Sequence, residues 1–93
     1  MAYKLEYTAQ FKKDYKLAKK RGRDIRKLEE ALRLLCADQA LPTAMKDHQL
    51  IGNYRGHREC HIEPDWLLIY RIDGASLILT ATRTCTHADL LGI

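Results

Sequence analysis

The spacing of hydrophobic positions changes along the chain, and each change marks a different predicted element. Residues 3–7 alternate between apolar and polar, the period of two that is typical of a strand with one wet face. From Phe11 the apolar residues recur at helical spacing, and a second helical stripe begins after Asp24. From about Tyr54 onward the pattern is strand-like. The order therefore predicts a β-α-α-β-β-β arrangement.

Local signals set the ends of the two predicted helices. Thr8 and Asp24 can each cap a helix N-terminus, because their side-chain oxygens accept hydrogen bonds from free backbone amides. Gly22 suits the end of the first helix, since glycine adopts positive φ without strain. So short a connection favours an antiparallel helical hairpin. Packing is the role assigned to the apolar stripes, which comprise Phe11, Tyr15 and Ala18, then Ile25, Leu28, Leu32 and Leu35.

Two turn signals divide the second half of the chain into three predicted strands. Glu63-Pro64-Asp65 carries proline at the favoured second position of a type I turn, and Asp73-Gly74 is a strong hairpin signal. The middle run is apolar on both faces, which indicates a central strand. The predicted fold is α+β, with a mostly antiparallel sheet and the helical hairpin packed on one face. The predicted strands span residues 54–62, 66–72 and 77–83.

Length and composition limit the possible classes of protein. A chain of 93 residues supports one core, so residues 1–93 are expected to form a single domain. No apolar run approaches the roughly 20 residues of a membrane span, and the N-terminus lacks the apolar core of a signal peptide. The three cysteines are widely spaced and odd in number, which favours reduced thiols. We therefore expect a cytoplasmic protein that does not enter the membrane.

Positive charge is concentrated in the predicted helices. Between Lys12 and Arg33 there are ten basic residues and four acids, or +6, whereas the rest of the chain carries −2. Such a field suits an anionic partner, either nucleic acid or an acidic protein segment, although a solvated helix face is the simpler alternative. The residues predicted to contact RNA or the ribosome are Lys12, Lys13, Lys16, Lys19, Lys20, Lys46 and Arg55.

The predicted strand register brings several polar residues together. If the Asp73-Gly74 turn pairs Ile72 with Ser76, Asp65 lies beside Arg83. The Glu63-Pro64 turn places His61 next to Trp66. His61, Asp65 and Arg83 then meet at one end of the sheet. His87 can reach them, and His48 enters from the preceding loop. His57 is expected to face the opposite side of its strand and is left out.

This combination of side chains suits acid–base chemistry on a phosphate. Histidine titrates near neutrality, so two imidazoles can serve as base and acid. Asp65 could orient an imidazole, and Arg83 could hold a phosphate. These groups suit RNA cleavage without a metal or cofactor, in which the 2′-hydroxyl attacks the adjacent phosphate. Histidines that merely satisfy hydrogen bonds are one alternative.

Zinc is a further alternative. Its candidate ligands are Cys60, His61, Cys85 and His87. It is disfavoured because Cys60 and His61 are strand neighbours and point to opposite faces. We therefore expect no metal at this site.

Several segments resemble one family over nearly the whole chain. AQFKKDYKLAKKRG, KDHQLIGNYRGHRECHIEPDWLLIY and TRTCTHADLLG are similar to the YafQ branch of the RelE-type bacterial toxins. The resemblance implies the microbial-RNase-like RelE fold and a toxin that cuts mRNA on the translating ribosome. It also implies that His48, His61, Asp65 and His87 are catalytic, with His87 as general acid and His48 or His61 as base. Arg83 is assigned to the phosphate from its chemistry.

The resemblance also implies partners. These are an acidic-tailed antitoxin similar to DinJ, with a heterotetramer as a possible assembly, and the ribosome with its mRNA. Two positions depart from the pattern, since Cys85 stands where glycine is usual and Leu91 where an aromatic residue would stack on an mRNA base. Leu91 is thus expected to position mRNA less firmly. A non-catalytic module that binds RNA or antitoxin is the alternative function.

Overall fold

The computed structural model describes residues 2–91, with only the backbone described at Leu91. Five strands form one sheet with the order β1-β5-β4-β3-β2. None of the helices in this range has the length and apolarity that crossing a bilayer requires. The elements are β1 (Lys4–Tyr7), α1 (Ala9–Lys20), α2 (Ile25–Cys36), β2 (His48–Gln49), β3 (Arg58–Glu63), β4 (Trp66–Asp73), β5 (Ile78–Cys85) and α3 (His87–Leu91).

The predicted helix ends are confirmed. The Thr8 side chain accepts a hydrogen bond from the Phe11 amide at 3.0 Å, and the Asp24 side chain accepts one from the Arg26 amide at 3.2 Å. Gly22 has a φ of 78° and follows the last turn of α1. Each cap stabilises its helix by about 1 kcal/mol relative to alanine. Thr8 also donates its hydroxyl hydrogen to the Thr82 carbonyl at 2.7 Å, which ties α1 to β5.

The helical hairpin covers one face of the sheet. Phe11 of α1 and Leu28 of α2 are buried against Trp66, Leu68 and Tyr70, which alternate along β4. Strand β4 is central, as predicted, with β5 on one side and β3 on the other. Neighbouring strands pair antiparallel except β1 and β5, which are parallel. The predicted α+β fold is therefore confirmed.

Besides 3₁₀ turns at Thr43–Met45 and Gly52–Tyr54, the structure contains a short strand and a short helix that the predicted order lacks. Strand β2 pairs with β3 through only His48 and Gln49. Helix α3 begins at His87, behind a capping box in which Thr86 Oγ1 accepts from the Asp89 amide at 3.0 Å and Asp89 Oδ2 accepts from the Thr86 amide at 3.2 Å. Both elements carry a histidine of the predicted site.

The predicted register between β4 and β5 is wrong. Ile72 pairs with Leu79 instead of Ser76, because the loop is longer than a two-residue turn and Asp73 pairs with Ile78. The Asp73 carboxylate stabilises this longer loop by accepting from the amides of Ala75 and Ser76. A bulge lies farther along β5, where the register shifts opposite Ile69 and Tyr70.

As a result, Arg83 pairs with Ile69 and not with Asp65. The error of four residues corresponds to roughly 13 Å along the strand. A register error of an even number of residues does not change the face to which a side chain points, so Arg83 lies on the predicted face of the sheet.

The predicted register between β3 and β4 is also wrong. His61 pairs with Leu67, and Glu63 pairs with Trp66, with an irregularity between them that leaves Ile62 without a partner. Because Ile62 bulges into the core, His61 stays on the face opposite Trp66. A register error of one residue changes the face of the sheet to which a side chain points. His61 was predicted to lie beside Trp66, but the two side chains lie on opposite faces.

Candidate active site

The sheet face opposite the helical hairpin presents two rows of cross-strand neighbours. Residues that pair directly across antiparallel strands project to the same face. The first row crosses the four strands β2, β3, β4 and β5 and consists of His48, Glu59, Ile69 and Arg83. The second row crosses β3, β4 and β5 and consists of His61, Leu67 and Cys85, of which Leu67 is fully buried.

Three imidazoles gather on this face. The ring centroids of His48 and His61 lie 6.3 Å apart, and those of His61 and His87 lie 5.8 Å apart. His48 reaches the group from the edge strand β2, and His87 reaches it from the first turn of α3. The prediction that these three histidines meet is confirmed. Their catalytic roles remain a prediction.

Glu59 is the carboxylate at the centre of the group. Its Oε2 lies 3.0 Å from His48 Nε2, and its Oε1 lies 3.9 Å from His87 Nε2. The residue is only 5% exposed, so its charge is poorly solvated except through the imidazoles. Sequence reasoning missed Glu59, although it precedes His61 by two residues and therefore shares its face of β3.

Hydrogen bonding at His48 defines where its protons lie. His48 Nδ1 is 2.7 Å from the Lys46 carbonyl oxygen, which can only accept, so Nδ1 carries a hydrogen. Nε2 lies 3.0 Å from a Glu59 oxygen, and the two groups form an ion pair when the ring is protonated. Both nitrogens of His48 therefore lie close to an oxygen atom. In contrast, His61 Nδ1 is buried without a partner in the described part of the chain.

Asp65 does not take the place predicted for it. Its carboxylate accepts a hydrogen bond from Arg23 Nη1 at 3.1 Å in the turn between β3 and β4, and the side chain is 74% exposed. The hydrogen bond and charge of Arg23 hold the pKa of Asp65 below its ordinary value. The prediction that Asp65 lies beside Arg83 was wrong, and the carboxylate that contacts the histidines is Glu59.

Arg83 is largely committed to a structural ion pair. Its Nε and Nη2 donate to the two carboxylate oxygens of Asp14 at 3.1 and 3.2 Å. Asp14 is buried and also accepts from the Thr84 amide at 3.2 Å. The hydrogen bonds from Arg83 to Asp14, reinforced by Tyr54, raise the pKa of the guanidinium. Arg83 therefore stays positively charged, and Asp14 occupies two of its five hydrogen-bond donors.

His57 lies outside the group, but for a different reason from the one expected. Residues four apart share a face of a regular strand, so His57 and His61 would not point in opposite directions. His57 is excluded because β3 begins only at Arg58. Its ring instead packs edge-on against Tyr54, with centroids 5.8 Å apart.

The residues that could bind a metal ion differ from the four zinc ligands that the sequence suggested. Burial raises the pKa of Cys60 to about 12 and that of Cys85 to about 11, so both thiols stay protonated at neutral pH. Glu59, His61 and His87 instead offer ligand atoms within 4.8 Å of one another. Imidazole and carboxylate ligands suit zinc or copper.

The basic residues predicted to bind RNA are all exposed. Lys46 and Arg55 flank β2 in sequence, and Lys46 supplies the carbonyl that orients His48. The side chain of Leu91, expected to position mRNA, lies outside the described part of the chain. The remaining predicted residues lie on α1 and are Lys12, Lys13, Lys16, Lys19 and Lys20.

Known proteins match this chain over almost its full length. A curated mRNA interferase toxin YafQ from Escherichia coli K12 is 45% identical over 89 residues, which is 95% of each chain. The E. coli DinJ–YafQ toxin–antitoxin complex contains a chain that is 43% identical, with a TM-score of 0.88 and coverage of 99% of this chain and 100% of that one. A metal-bound toxin from Helicobacter pylori is 36% identical, with a TM-score of 0.89 and coverage of 97% and 99%.

A family model describing the YafQ bacterial toxin of type II toxin–antitoxin systems matches residues 3–92. That span includes both histidine-bearing elements missing from the predicted order, β2 and α3. The family model and the 45% identity to the E. coli relative agree. The chain therefore belongs to the YafQ family of type II toxin–antitoxin toxins.

Proposed function

We propose that the chain is an endoribonuclease of the mRNA-interferase class, which cleaves mRNA on the translating ribosome and serves as the toxin of a toxin–antitoxin pair. The observation that carries this proposal is the group of three imidazoles around Glu59 on the open face of the sheet. The similarity to the E. coli mRNA interferase supports the choice of substrate.

The proposed reaction is a transesterification within the RNA strand. The 2′-hydroxyl oxygen forms a bond to the neighbouring phosphorus as the bond from phosphorus to the 5′-oxygen breaks. One imidazole takes the proton of the 2′-hydroxyl, and another gives a proton to the leaving 5′-oxygen. The products are a 2′,3′-cyclic phosphate and a 5′-hydroxyl end. Such proton transfers typically contribute about 10²–10⁴-fold each, and they require no metal.

We assign the three histidines to different roles. His87 is the general acid, a role that the family resemblance implies, and its half-exposed side chain places Nε2 3.9 Å from the Glu59 carboxylate. His61 is the general base, because its ring lies between those of His48 and His87 on the open face. His48 is held by the Lys46 carbonyl and lies 3.0 Å from Glu59, and it is assigned to stabilising negative charge on the phosphate.

The remaining predicted site residues have supporting roles in this proposal. Arg83 supplies positive charge on the same face and keeps donors that Asp14 does not occupy. Asp65 lies exposed at the β3–β4 turn, and its catalytic role rests on the family resemblance alone. Leu91 is proposed to contact mRNA by packing.

The basic surface of α1 is proposed to bind ribosomal RNA. Five lysines on this helix project into solvent, and Lys46 and Arg55 are exposed on the segments that flank β2 in sequence. Contacts with phosphates release counterions, so ribosome affinity should fall steeply as salt rises.

The cognate antitoxin is proposed to be DinJ-like, as in the E. coli complex. The proposed assembly of toxin and antitoxin is a heterotetramer. A groove of about 840 Å³ runs between β1 and the helical hairpin, away from the histidines. Its walls combine aromatic side chains such as Tyr7 and Phe11 with cations such as Lys12 and Arg33. This surface suits a segment that carries both apolar and acidic side chains.

The deciding experiment maps cut sites in mRNA on ribosomes for the wild type and for His87→Ala. Discrete cuts bearing cyclic phosphate ends are expected only with the wild type. Antitoxin or RNA binding without cleavage by the wild type would favour the non-catalytic alternative.

A metal-dependent site is a second candidate function, because Glu59, His61 and His87 form a plausible ligand set and the H. pylori relative is described as metal-bound. The same assay should be run with a chelator. Unchanged cleavage supports the acid–base route, whereas loss of cleavage and its recovery with zinc would contradict it.

A further inference from the structure

Asp47 connects the buried core to the strand that carries His48. A single carboxylate oxygen, Oδ1, accepts hydrogen bonds from the Tyr70 hydroxyl at 2.7 Å and from Arg58 Nε at 3.1 Å. Tyr70 is buried in the core under the helical hairpin, and Arg58 is its cross-strand neighbour. Asp47 therefore bonds on the helix-covered side of the sheet.

His48 points the opposite way from its neighbour. It pairs with Glu59 on the open face, whereas Gln49 pairs with Arg58 on the helix-covered face. Successive residues of a strand alternate between faces, so Asp47 is placed like Gln49. The two-residue strand β2 is thus held on one side by Asp47 and on the other by the contact between His48 and Glu59.

The backbone beside Asp47 also has a demanding conformation. Lys46 has a φ of 50°, in the left-handed region that residues with a Cβ adopt at a cost. This conformation accompanies the 2.7 Å contact between the Lys46 carbonyl and His48 Nδ1. Such a backbone persists only where its surroundings hold it, and the adjacent Asp47 supplies two hydrogen bonds for that purpose.

We propose that Asp47, through Tyr70 and Arg58, is a positioning residue that holds the imidazole of His48 against Glu59. The proposal rests on the ribonuclease function proposed above. Asp47 acts through His48 and not on the RNA. Burial, reinforced by the hydrogen bond to Asp47, raises the pKa of the Tyr70 hydroxyl, which therefore remains a donor across the neutral range.

The first test measures cleavage of mRNA on ribosomes by Asp47→Ala. Because misplacement of a reacting group by about 1 Å can cost 10²-fold, kcat should fall about 100-fold with KM unchanged. Asp47→Asn should recover most of the activity, since its amide oxygen can accept both hydrogen bonds. The matched control is Asp73→Ala, which also removes two hydrogen bonds to a carboxylate, but in the β4–β5 loop. Equal losses in both alanine variants would overturn the proposal.

A double variant separates positioning from general stability. If Asp47 acts through His48, adding Asp47→Ala to His48→Ala should cause no further loss of kcat. A second loss of about 100-fold would overturn the proposal. Should Asp47→Ala fail to fold, Tyr70→Phe removes only the hydroxyl and is expected to lower kcat in the same direction. Full activity in a folded Tyr70→Phe would also contradict it.

An NMR measurement reads the same geometry without any substrate. In Asp47→Ala the ring resonances of His48 should move toward those of a solvated histidine, and its ring contacts with His61 should weaken. The indole of Trp66, buried in the core and without contact to Asp47, serves as an internal reference that should not move. Unchanged His48 resonances would overturn the positioning role. A wild type that cuts no mRNA would defeat the proposed function instead, and the NMR result would still decide the role of Asp47.

Discussion

The two faces of the sheet are built from the same strands but perform different tasks. On β4, Trp66, Leu68 and Tyr70 pack under the helices, while Leu67 and Ile69 are equally buried on the other side. A central strand that is apolar on both faces has no position for chemistry. The polar groups therefore lie on β3, on the edge strand β2 and on α3. Stability and chemistry are consequently separable by mutation.

The largest effect is expected from His87→Ala on the open face. Losing a general acid should lower the cleavage rate by about 10²–10⁴-fold. The side chain is 55% exposed, so the free energy of unfolding should hardly change. Cleavage kinetics and denaturant titration of the same preparation give both values. His57→Ala is the matched control outside the group, and an equal loss there would mean that the histidines act through the fold.

Leu68→Ala tests the helix-covered face. This side chain is fully buried between the sheet and the hairpin, so truncation should lower the free energy of unfolding by about 2–5 kcal/mol. Ile51→Ala, at a side chain that is 90% exposed, should change stability by less than about 0.5 kcal/mol. Denaturant titration measures both variants. If the two truncations cost the same, the described core would be wrong.

Glu59→Gln removes the charge that the open face shares between two histidines. Losing a hydrogen bond to a charged group costs about 1.5–3 kcal/mol, so activity should fall by about 10- to 100-fold. Glu63→Gln makes the same change on β3, where the carboxylate pairs with Arg23 and Lys27, and should leave activity unaltered. Unchanged activity in Glu59→Gln would argue against its central role.

The smallest effect concerns the cap of α3. Hydrogen bonds from Thr86 hold the pKa of Asp89 below its ordinary value. Because the pKa of Asp89 is lower in the folded state than in the unfolded state, ionised Asp89 stabilises the fold at pH values above the unfolded-state pKa, near 3.9. This stabilisation is lost as the pH falls through the folded-state pKa. The protection factor of the Leu90 amide, which bonds to the Thr86 carbonyl, should therefore fall in acid. Asp89→Asn should abolish this pH dependence, and its persistence would exclude Asp89 as the cause.

Much of the fold could be predicted from local signals. Thr8, Asp24 and Gly22 define helix ends through their own chemistry, and the apolar run of β4 identifies a central strand. The histidine group was also predicted, even though the register behind it was wrong. His61 and His87 meet because His61 shares its cross-strand row with Cys85, which precedes His87 by two residues. The assumed contacts with Asp65 and Trp66 were not needed.

The register itself could not be predicted, since it depends on features with weak local signals. An Asp-Gly pair suggests a two-residue turn, yet the Asp73 carboxylate stabilises a longer loop. The bulges in β3 and β5 depend on which side chains the core accepts. Two features of the sequence do carry such signals. Thr86 and Asp89 have the spacing of a capping box, which predicts α3. Glu59 lies two residues before His61, so both side chains point to the same face of β3.

The start of α1 closes part of a sheet edge. Strand β1 pairs with β5 only from Ile78 to Ala81, which leaves the outer edge of the later residues without a neighbouring strand. There the Thr8 hydroxyl donates to the Thr82 carbonyl, and Asp14 accepts from the Thr84 amide. With these groups occupied, another chain cannot extend the sheet along this part of β5. Within the described structure, a partner that adds a strand is therefore directed to the outer edge of β1 or of β2.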